Sequence, residues 1–353
     1  MVGGNLIMSF NDITGHAKTL SIIRKQVNQN KVPHAYLFVG PSGVGKKKTA
    51  VELAKSLNCI GSAKAPNGVD SAKAPDGVVG ESRRAGDSCG ECLSCRKIEN
   101  AVHPDVTLID FFWQAELLQE KPEKQTQIKI DTVREIQKTV SLKPFEGRWK
   151  VFILDDVQKI SGEAANCLLK TLEEPPRNTL LILLSSVKGT LPQTVVSRCQ
   201  CLRFGYLTDD EILKVVAVKS CPGETDGAGF RELIKFARGS AGEMLSLVES
   251  GAGDSLRGLV SLWERLRTGG AGIREILQFI DGTGTDRKSA DDLISKLIVL
   301  AHNEIESGQP LCEILEALLQ CRGAIRYNVT PELIIDVALL KIKNWRKNYA
   351  GNC

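Results

Sequence analysis

Short apolar runs alternate with amphipathic segments along the first part of the chain. Three runs are apolar at nearly every position and too short to be helices, and they occupy residues 35–39, 151–154 and 180–184. Runs of this kind are typical of parallel strands that are buried on both faces of a sheet. Helices are predicted between them, one from Lys46 toward Leu57 and another from Asp131 onward. The alternation predicts an α/β domain with a parallel sheet.

The pattern changes after Phe204, where apolar residues recur at helical spacing and glycines separate the segments. Helices are predicted over 209–218, 229–237 and 242–249, followed by a longer helical stretch over 256–345. We interpret its apolar stripes as helix-packing core rather than as a dedicated partner groove. The sequence therefore predicts two small helical domains behind one α/β domain.

The composition is that of an ordinary globular protein, with 353 residues, of which 42% are hydrophobic and 25% charged. A formal net charge of +4 falls short of the basic balance of a dedicated nucleic-acid-binding domain. The start of the chain lacks a basic stretch before an apolar run, and the apolar run at 179–184 is too short to cross a bilayer. We expect a cytoplasmic protein.

A nearly complete nucleotide-binding loop follows the first predicted strand. Its glycines are Gly40, Gly43 and Gly45, and its lysine is Lys46. In such a loop the backbone N–H groups and the lysine bind phosphates, and a Ser or Thr hydroxyl after the lysine binds Mg²⁺. This chain has Lys47 at the hydroxyl position. The motif predicts the fold of a P-loop protein, while the substitution puts its chemistry in doubt.

Further candidates for this site lie in the loop's own helix and after the later strands. Thr49 is the nearest hydroxyl to the missing one, but about 200° of helical rotation turns it away from the site. Asp155 and Asp156 follow a strand, where P-loop proteins carry the acids that hold Mg²⁺ and polarise the attacking water. Ser186 follows the last predicted strand. It is either a sensor of the γ-phosphate or a strand cap.

Four cysteines have the spacing of a metal site. Two residues separate Cys89 from Cys92, and two separate Cys92 from Cys95, while Cys59 is available as a fourth ligand. Such a set predicts a closed, tetrahedral structural Zn²⁺ site. An iron–sulfur cluster is the chemical rival, but the bacterial cluster spacing calls for a further cysteine where the chain has Glu99.

The other cysteines, of eleven in all, do not indicate a disulfide framework in a cytoplasmic chain. Between the first predicted metal ligand and the other three, the segment 60–88 contains an imperfect tandem repeat that is small and polar, with a proline in each copy. Two copies cannot form a solenoid. The segment is predicted to be an inserted flexible loop.

Three strings together carry a family resemblance: H-A-Y-L-F at 34–38, N-C-L-L-K-T-L-E-E-P-P at 166–176 and S-R-C at 197–199. They resemble bacterial clamp-loader AAA+ subunits, and the four-cysteine module is similar to the zinc module of that family apart from its long insertion. The resemblance is strong over residues 9–205 and architectural beyond them. It implies an AAA+ core with a zinc module over 1–206, a helical lid over 207–250 and a helical collar for oligomerisation over 251–353.

Within this family the choice lies between ATP-hydrolysing gamma/tau motor subunits and the delta-prime type, which lacks a competent ATP site. Lys47 replaces the Mg²⁺ hydroxyl, and Asp156 replaces the glutamate that activates water in the motors. Gly242 occupies the position of a phosphate-sensing arginine. Arg198 is retained, and the resemblance implies an arginine finger that acts in trans on a neighbour's ATP. These departures favour a delta-prime-like stator.

The resemblance implies several partners for such a stator: motor subunits and a delta subunit in a hetero-oligomeric ring, the sliding clamp, and primed DNA reached through the complex. A catalytically active clamp-loader ATPase is the principal rival. An unrelated zinc-stabilised P-loop protein of repair or recombination is a more distant one. The sequence leaves open whether this site holds ATP, the order and stoichiometry of the ring, and any direct contact with DNA.

Overall fold

The computed structural model describes most of the chain. The described residues are 9–61, 87–219, 233–251, 253–268, 286–306, 308–325 and 329–349, with the single residues 270 and 327. Most of the predicted inserted loop, residues 62–86, and the first part of the predicted helix at 229–237 lie outside them.

The described chain divides into two compact units. The residues up to Val215, together with Gly239–Gly242, form the first, and the remainder forms the second. The three-domain division at 206 and 250 stays a prediction.

The first unit alternates helices and strands as the sequence predicts. Its elements are α1 (Ala17–Asn28), β1 (Ala35–Val39), α2 (Lys46–Asn58), α3 (Leu93–Glu99), β2 (Val106–Ile109), α4 (Phe111–Leu118), α5 (Ile130–Val140), β3 (Lys150–Leu154), α6 (Gly162–Glu173), β4 (Thr179–Ser185), α7 (Gln193–Val196) and β5 (Gln200–Arg203). The chain then passes between the two units in α8 (Asp209–Lys219) and α9 (Ala241–Glu249).

The strands form one parallel sheet in the order β2-β3-β4-β1-β5. Alternate strand residues enter two different cores. On one face Phe38 and Ile182 pack with Leu53 of α2, and on the other Leu37 and Leu181 belong to the core that includes helices α5 and α6. Burial on both faces explains why the central strands are continuous apolar runs. The predicted parallel α/β fold is confirmed.

The sheet order places the carboxyl ends of β1, β3 and β4 side by side at one edge of the sheet. In open α/β folds, ligands bind at this edge, near the point where the strand order reverses. The glycine loop, the two aspartates and Ser186 all follow these strand ends. The fold therefore gathers the predicted site residues at one edge.

The second unit is helical in its described residues. Besides residues 233–237 and most of α9, it contains α10 (Gly253–Thr268), α11 (Arg287–Glu306), α12 (Cys312–Ala324) and α13 (Pro331–Tyr349). One core joins Phe236 and Leu247 to Trp263, Leu297 and Leu339. The apolar stripes are thus helix-packing core, as predicted. Among the described helices of the whole chain, none is long and apolar enough to cross a membrane.

Candidate functional site

The glycine loop links the end of β1 to the first turn of α2. Gly43 and Gly45 have φ of +72° and +105°, which residues other than glycine rarely adopt. Lys46 is buried, and its Nζ donates to the carbonyl oxygens of Gly40 and Pro41, each at 2.6 Å. Burial lowers the pKa of Lys46, and the nearby aspartates only partly offset this effect. The loop has the form of a phosphate-binding loop whose lysine lies against its own backbone.

Lys47 extends toward two carboxylates at the same edge of the sheet. Its Nζ lies 3.5 Å from Oδ2 of Asp155 and 3.5 Å from Oδ2 of Asp110. Asp110 caps α4, accepting hydrogen bonds from the backbone of Phe112 and Trp113 at 3.1 and 3.0 Å. An ammonium group therefore lies beside the acid that a P-loop ATPase uses for its metal.

The Thr49 hydroxyl does not compensate for the missing Mg²⁺ ligand. It is fully buried and donates to the Gly45 carbonyl oxygen at 2.9 Å, one turn back along α2. The expectation that Thr49 points away from the site is confirmed.

The second aspartate after β3 is engaged by its own turn. Asp156 has a left-handed φ of 52°, and its carboxylate accepts from Gln158 Nε2 and pairs with Lys159 Nζ, both at 2.8 Å. Although burial opposes ionisation, Lys159 and Gln158 keep the pKa of Asp156 below its ordinary value. Gln158 also accepts from the Ser186 backbone N–H at 3.2 Å. Asp156 and Ser186 are thus joined through Gln158.

The backbone around Gly242 packs directly on the glycine loop. The Gly242 N–H donates to the Gly43 carbonyl at 2.9 Å, and Ser240 Oγ donates to the Ser42 carbonyl at 3.0 Å. A Cβ added at Gly242 would lie 2.8 Å from Gly43 Cα, closer than real Cβ atoms come to other atoms. An arginine at this position would require the two backbones to separate.

Arg198 lies just beyond α7 and is partly exposed. One guanidinium nitrogen is 2.7 Å from Glu173 Oε1, and another donates to the Thr194 carbonyl at 3.0 Å. Glu173 is the last residue of α6, within the 166–176 string of the resemblance. The described chain therefore holds Arg198 at its surface through one carboxylate and one carbonyl.

The four predicted metal ligands converge. The Sγ atoms of Cys59, Cys89, Cys92 and Cys95 all lie within 4.8 Å of one another. Two of the Sγ pairs, Cys59 with Cys92 and Cys89 with Cys95, are 3.9 Å apart. The backbone N–H groups of Cys89 and Cys92 donate at 3.3 Å to the sulfurs of Cys59 and Cys89, respectively. The cluster could hold a metal ion.

A buried ion cluster connects this module to the helix of the glycine loop. Lys55 of α2 pairs with Glu52 at 2.9 Å and also contacts Glu99, the last residue of α3. Ser88, adjacent to Cys89, donates to Glu52 at 3.2 Å. Burial opposes the charge on Lys55, but the two carboxylates raise its pKa above the ordinary value.

Lys55→Met is expected to lower the free energy of unfolding by about 3 kcal/mol, because it leaves Glu52 buried beside a thioether instead of an ammonium. Lys138→Met is the matched control, because Lys138 forms an exposed pair with Glu135 worth about 0.5 kcal/mol or less. Urea unfolding at neutral pH measures both. Equal losses in the two variants would contradict a stabilising role for the buried cluster.

Some polar residues near the candidate site were not predicted from the sequence. Asp110, Gln158, Lys159 and Glu173 each contact a predicted site residue. Asp110 directly follows β2, so its place at the same sheet edge could have been predicted had β2 been identified from the sequence. The other three are visible only through their side-chain contacts.

These features define an α/β protein with a P-loop-type core and a four-cysteine module. Comparison with known families gives the assignment: the family model described as DNA polymerase III, delta subunit, matches residues 15–73 and 71–208. The chain belongs to this family.

The relatives that it matches are named as subunits of DNA polymerase III. DNA polymerase III subunit tau of Bacillus subtilis is 31% identical over 344 residues, which are 95% of this chain and 52% of that protein. DNA polymerase III subunit gamma of Buchnera aphidicola is 30% identical over 243 residues, 68% of this chain and 58% of that protein. The chain thus spans little more than half the length of these relatives.

A solved structure, a DNA polymerase III gamma subunit-related protein from Thermotoga maritima, superposes with a TM-score of 0.49 and 15% identity, covering 91% of this chain and 98% of that one.

Proposed function

We propose that this chain is a non-hydrolysing, delta-prime-like subunit of a bacterial clamp loader, which supports ATP-dependent loading of the sliding clamp onto primed DNA. The observation that carries the proposal is the Lys47 ammonium beside Asp155 and Asp110, each at 3.5 Å. Phosphoryl transfer in P-loop enzymes depends on Mg²⁺ to neutralise charge on the phosphate oxygens. In this site a lysine replaces the hydroxyl ligand of the ion, and its ammonium lies beside the acid that would hold the ion.

Two further departures support the same role. The carboxylate of Asp156 pairs with Lys159 and accepts a hydrogen bond from Gln158. These contacts compete with the activation of a water molecule by Asp156. Gly242 packs against Gly43, where a sensing arginine would not fit without movement. Arg198 is the in-trans group of the proposal, acting on the ATP of an adjacent motor subunit.

The proposal includes a structural Zn²⁺ in the cysteine cluster. Four cysteine ligands, three of them buried, match the donor set of structural zinc sites, whereas catalytic sites have three protein ligands and an open position. The ion would supply a cross-link between the end of α2 and α3.

The proposed partners are gamma/tau motors, a delta subunit, the sliding clamp and DNA held by the complex. The proposed location is the cytoplasm. The proposal keeps the predicted roles of residues 207–250 as a helical lid and of residues 251–353 as a collar for oligomerisation.

A motor subunit is the second candidate, and the relatives favour it. Both relatives described above are named gamma or tau, and the tau protein aligns with 95% of this chain. The two candidates differ in one measurable property, which is hydrolysis by the chain's own site.

We expect the purified chain to hydrolyse ATP at background, at least about 10²-fold below a motor subunit, because a lost metal ion removes several kcal/mol of transition-state stabilisation. Lys47→Thr alone should not restore hydrolysis, since Asp156 and Gly242 remain. Steady-state phosphate release with and without primed DNA measures the rate. ATP turnover by the wild type that disappears in Lys46→Ala would instead establish that the chain is a motor subunit.

A further inference from the structure

The position of Lys47 suggests more than a lost metal ligand. Its side chain starts in the first turn of α2, next to the phosphate-binding lysine, and its ammonium reaches the acid that would otherwise hold Mg²⁺. A positive charge on a flexible side chain thus lies beside the acid that holds Mg²⁺ in P-loop ATPases. We infer that Lys47 is a tethered cation that takes the place of Mg²⁺, so that the loop binds a nucleoside di- or triphosphate without a divalent ion.

The contacts of Lys47 allow it to serve a phosphate. Both of its 3.5 Å distances to carboxylate oxygens exceed those of a charge-assisted hydrogen bond, which are about 2.8 Å. The side chain is 45% exposed, so reorienting the ammonium requires no buried group to move. The Lys47 ammonium can stay beside one aspartate and exchange its contact with the other for a contact with a phosphate oxygen.

The rest of the loop supplies the remaining phosphate ligands. Its backbone N–H groups and the start of α2 favour an anion. Within the part of the chain that the structure describes, the buried Lys46 ammonium donates its hydrogen bonds to the Gly40 and Pro41 carbonyls. A β-phosphate would be a stronger acceptor for this lysine than two neutral carbonyl oxygens.

The same arrangement disfavours the divalent ion. Mg²⁺ needs near-octahedral oxygen ligands at about 2.1 Å, and lysine supplies none. An Mg²⁺ ion on Asp155 would also lie within a few ångströms of the Lys47 ammonium and be repelled by it. Lys159 already pairs with Asp156, so the second acid is neutralised as well.

Equilibrium binding of a fluorescent ADP analogue and of ADP itself, in EDTA and in MgCl₂, tests the inference on the purified full chain. The wild-type dissociation constants in the two buffers should agree within about two-fold, a difference below 0.5 kcal/mol. Lys47→Thr should restore metal dependence, binding at least about tenfold more weakly in EDTA than in MgCl₂. Lys25→Ala, which removes an exposed lysine of α1, should behave as wild type.

Two results would overturn the inference: wild-type binding that requires Mg²⁺, or no binding of either nucleotide in either buffer. The wild-type comparison decides the matter even if a variant folds poorly. The inference goes beyond the proposed function, because a clamp-loader subunit with an empty loop would still show no hydrolysis. Binding and hydrolysis therefore report separately on the two proposals.

Discussion

Cys95→Ser is expected to reduce the zinc content of the proposed site from one ion per chain to nearly none and to destabilise the part of the first unit around α2 and α3. Cys95 is fully buried in α3, and its Sγ lies 3.9 Å from that of Cys89. Structural zinc sites contribute apparent binding free energies of about 10–16 kcal/mol in small zinc modules. A serine hydroxyl in place of one thiolate forfeits much of that binding.

The effect should spread beyond the cluster because the cluster is joined to the core. Cys59 directly follows α2, and its carbonyl accepts a hydrogen bond from Arg148 at 3.1 Å. The buried Lys55 cluster connects the same helix to α3. Loss of the ion should therefore also loosen the last turns of the helix that begins at the glycine loop.

Metal analysis and hydrogen exchange measure these two effects. Cys321→Ser is the control, because Cys321 is a buried free cysteine in the second unit. This variant should retain the full zinc content of the wild type. EDTA or a stronger chelator should reproduce the loss of protection in the wild-type chain. Absence of zinc from the wild type, or a visible absorption spectrum from bound iron, would contradict the assignment.

The fold could be predicted where burial alone dictates the sequence. The central strands β1, β3 and β4 are shielded on both faces, so their residues are apolar almost without interruption, and each was predicted within a residue or so of its ends. The edge strands β2 and β5 were not predicted. They are four residues long and mostly half-buried, with Thr107 and Gln200 among their members, so they give neither a continuous run nor a clear alternation.

The candidate site was predictable in its backbone and not in its side-chain pairings. Glycine spacing locates the loop because only certain backbone conformations cradle phosphate. The contact between Lys47 and Asp110 could not be predicted from the sequence, because it depends on the position of β2, a strand that was not predicted. The Arg198 pair with Glu173 likewise joins residues 25 positions apart through the packing of α6 beside α7.

The contact between Arg198 and Glu173 bears on the proposed finger. An ion pair this exposed contributes about 0–1 kcal/mol, because water screens it and two side chains must be fixed. Exchanging Glu173 for a neighbour's γ-phosphate would therefore cost little. Glu173 is the group that we expect to hold the guanidinium before the ring assembles.

Arg198→Ala is expected to slow hydrolysis at the adjoining motor site by about 10³- to 10⁵-fold, as loss of an arginine finger does in other phosphoryl-transfer systems. Arg198→Lys should rescue poorly, because an ammonium lacks the bidentate geometry of a guanidinium. Total hydrolysis by the ring should fall only in part, since other sites keep their own fingers. Clamp loading, which needs coordinated turnover, should fall further.

The experiment is a reconstituted loader assayed for assembly, DNA-stimulated hydrolysis and clamp loading with each variant. Arg203→Ala is the matched control, because Arg203 is an exposed arginine of the edge strand β5 only five positions away. Glu173→Gln tests whether the ion pair with Glu173 matters for the role of Arg198 in hydrolysis. It removes the ion pair but keeps the guanidinium. Hydrolysis should therefore stay within about threefold of wild type, as expected for loss of a weak exposed pair. Intact assembly with unchanged hydrolysis and loading in Arg198→Ala would reduce Arg198 to an ordinary surface arginine.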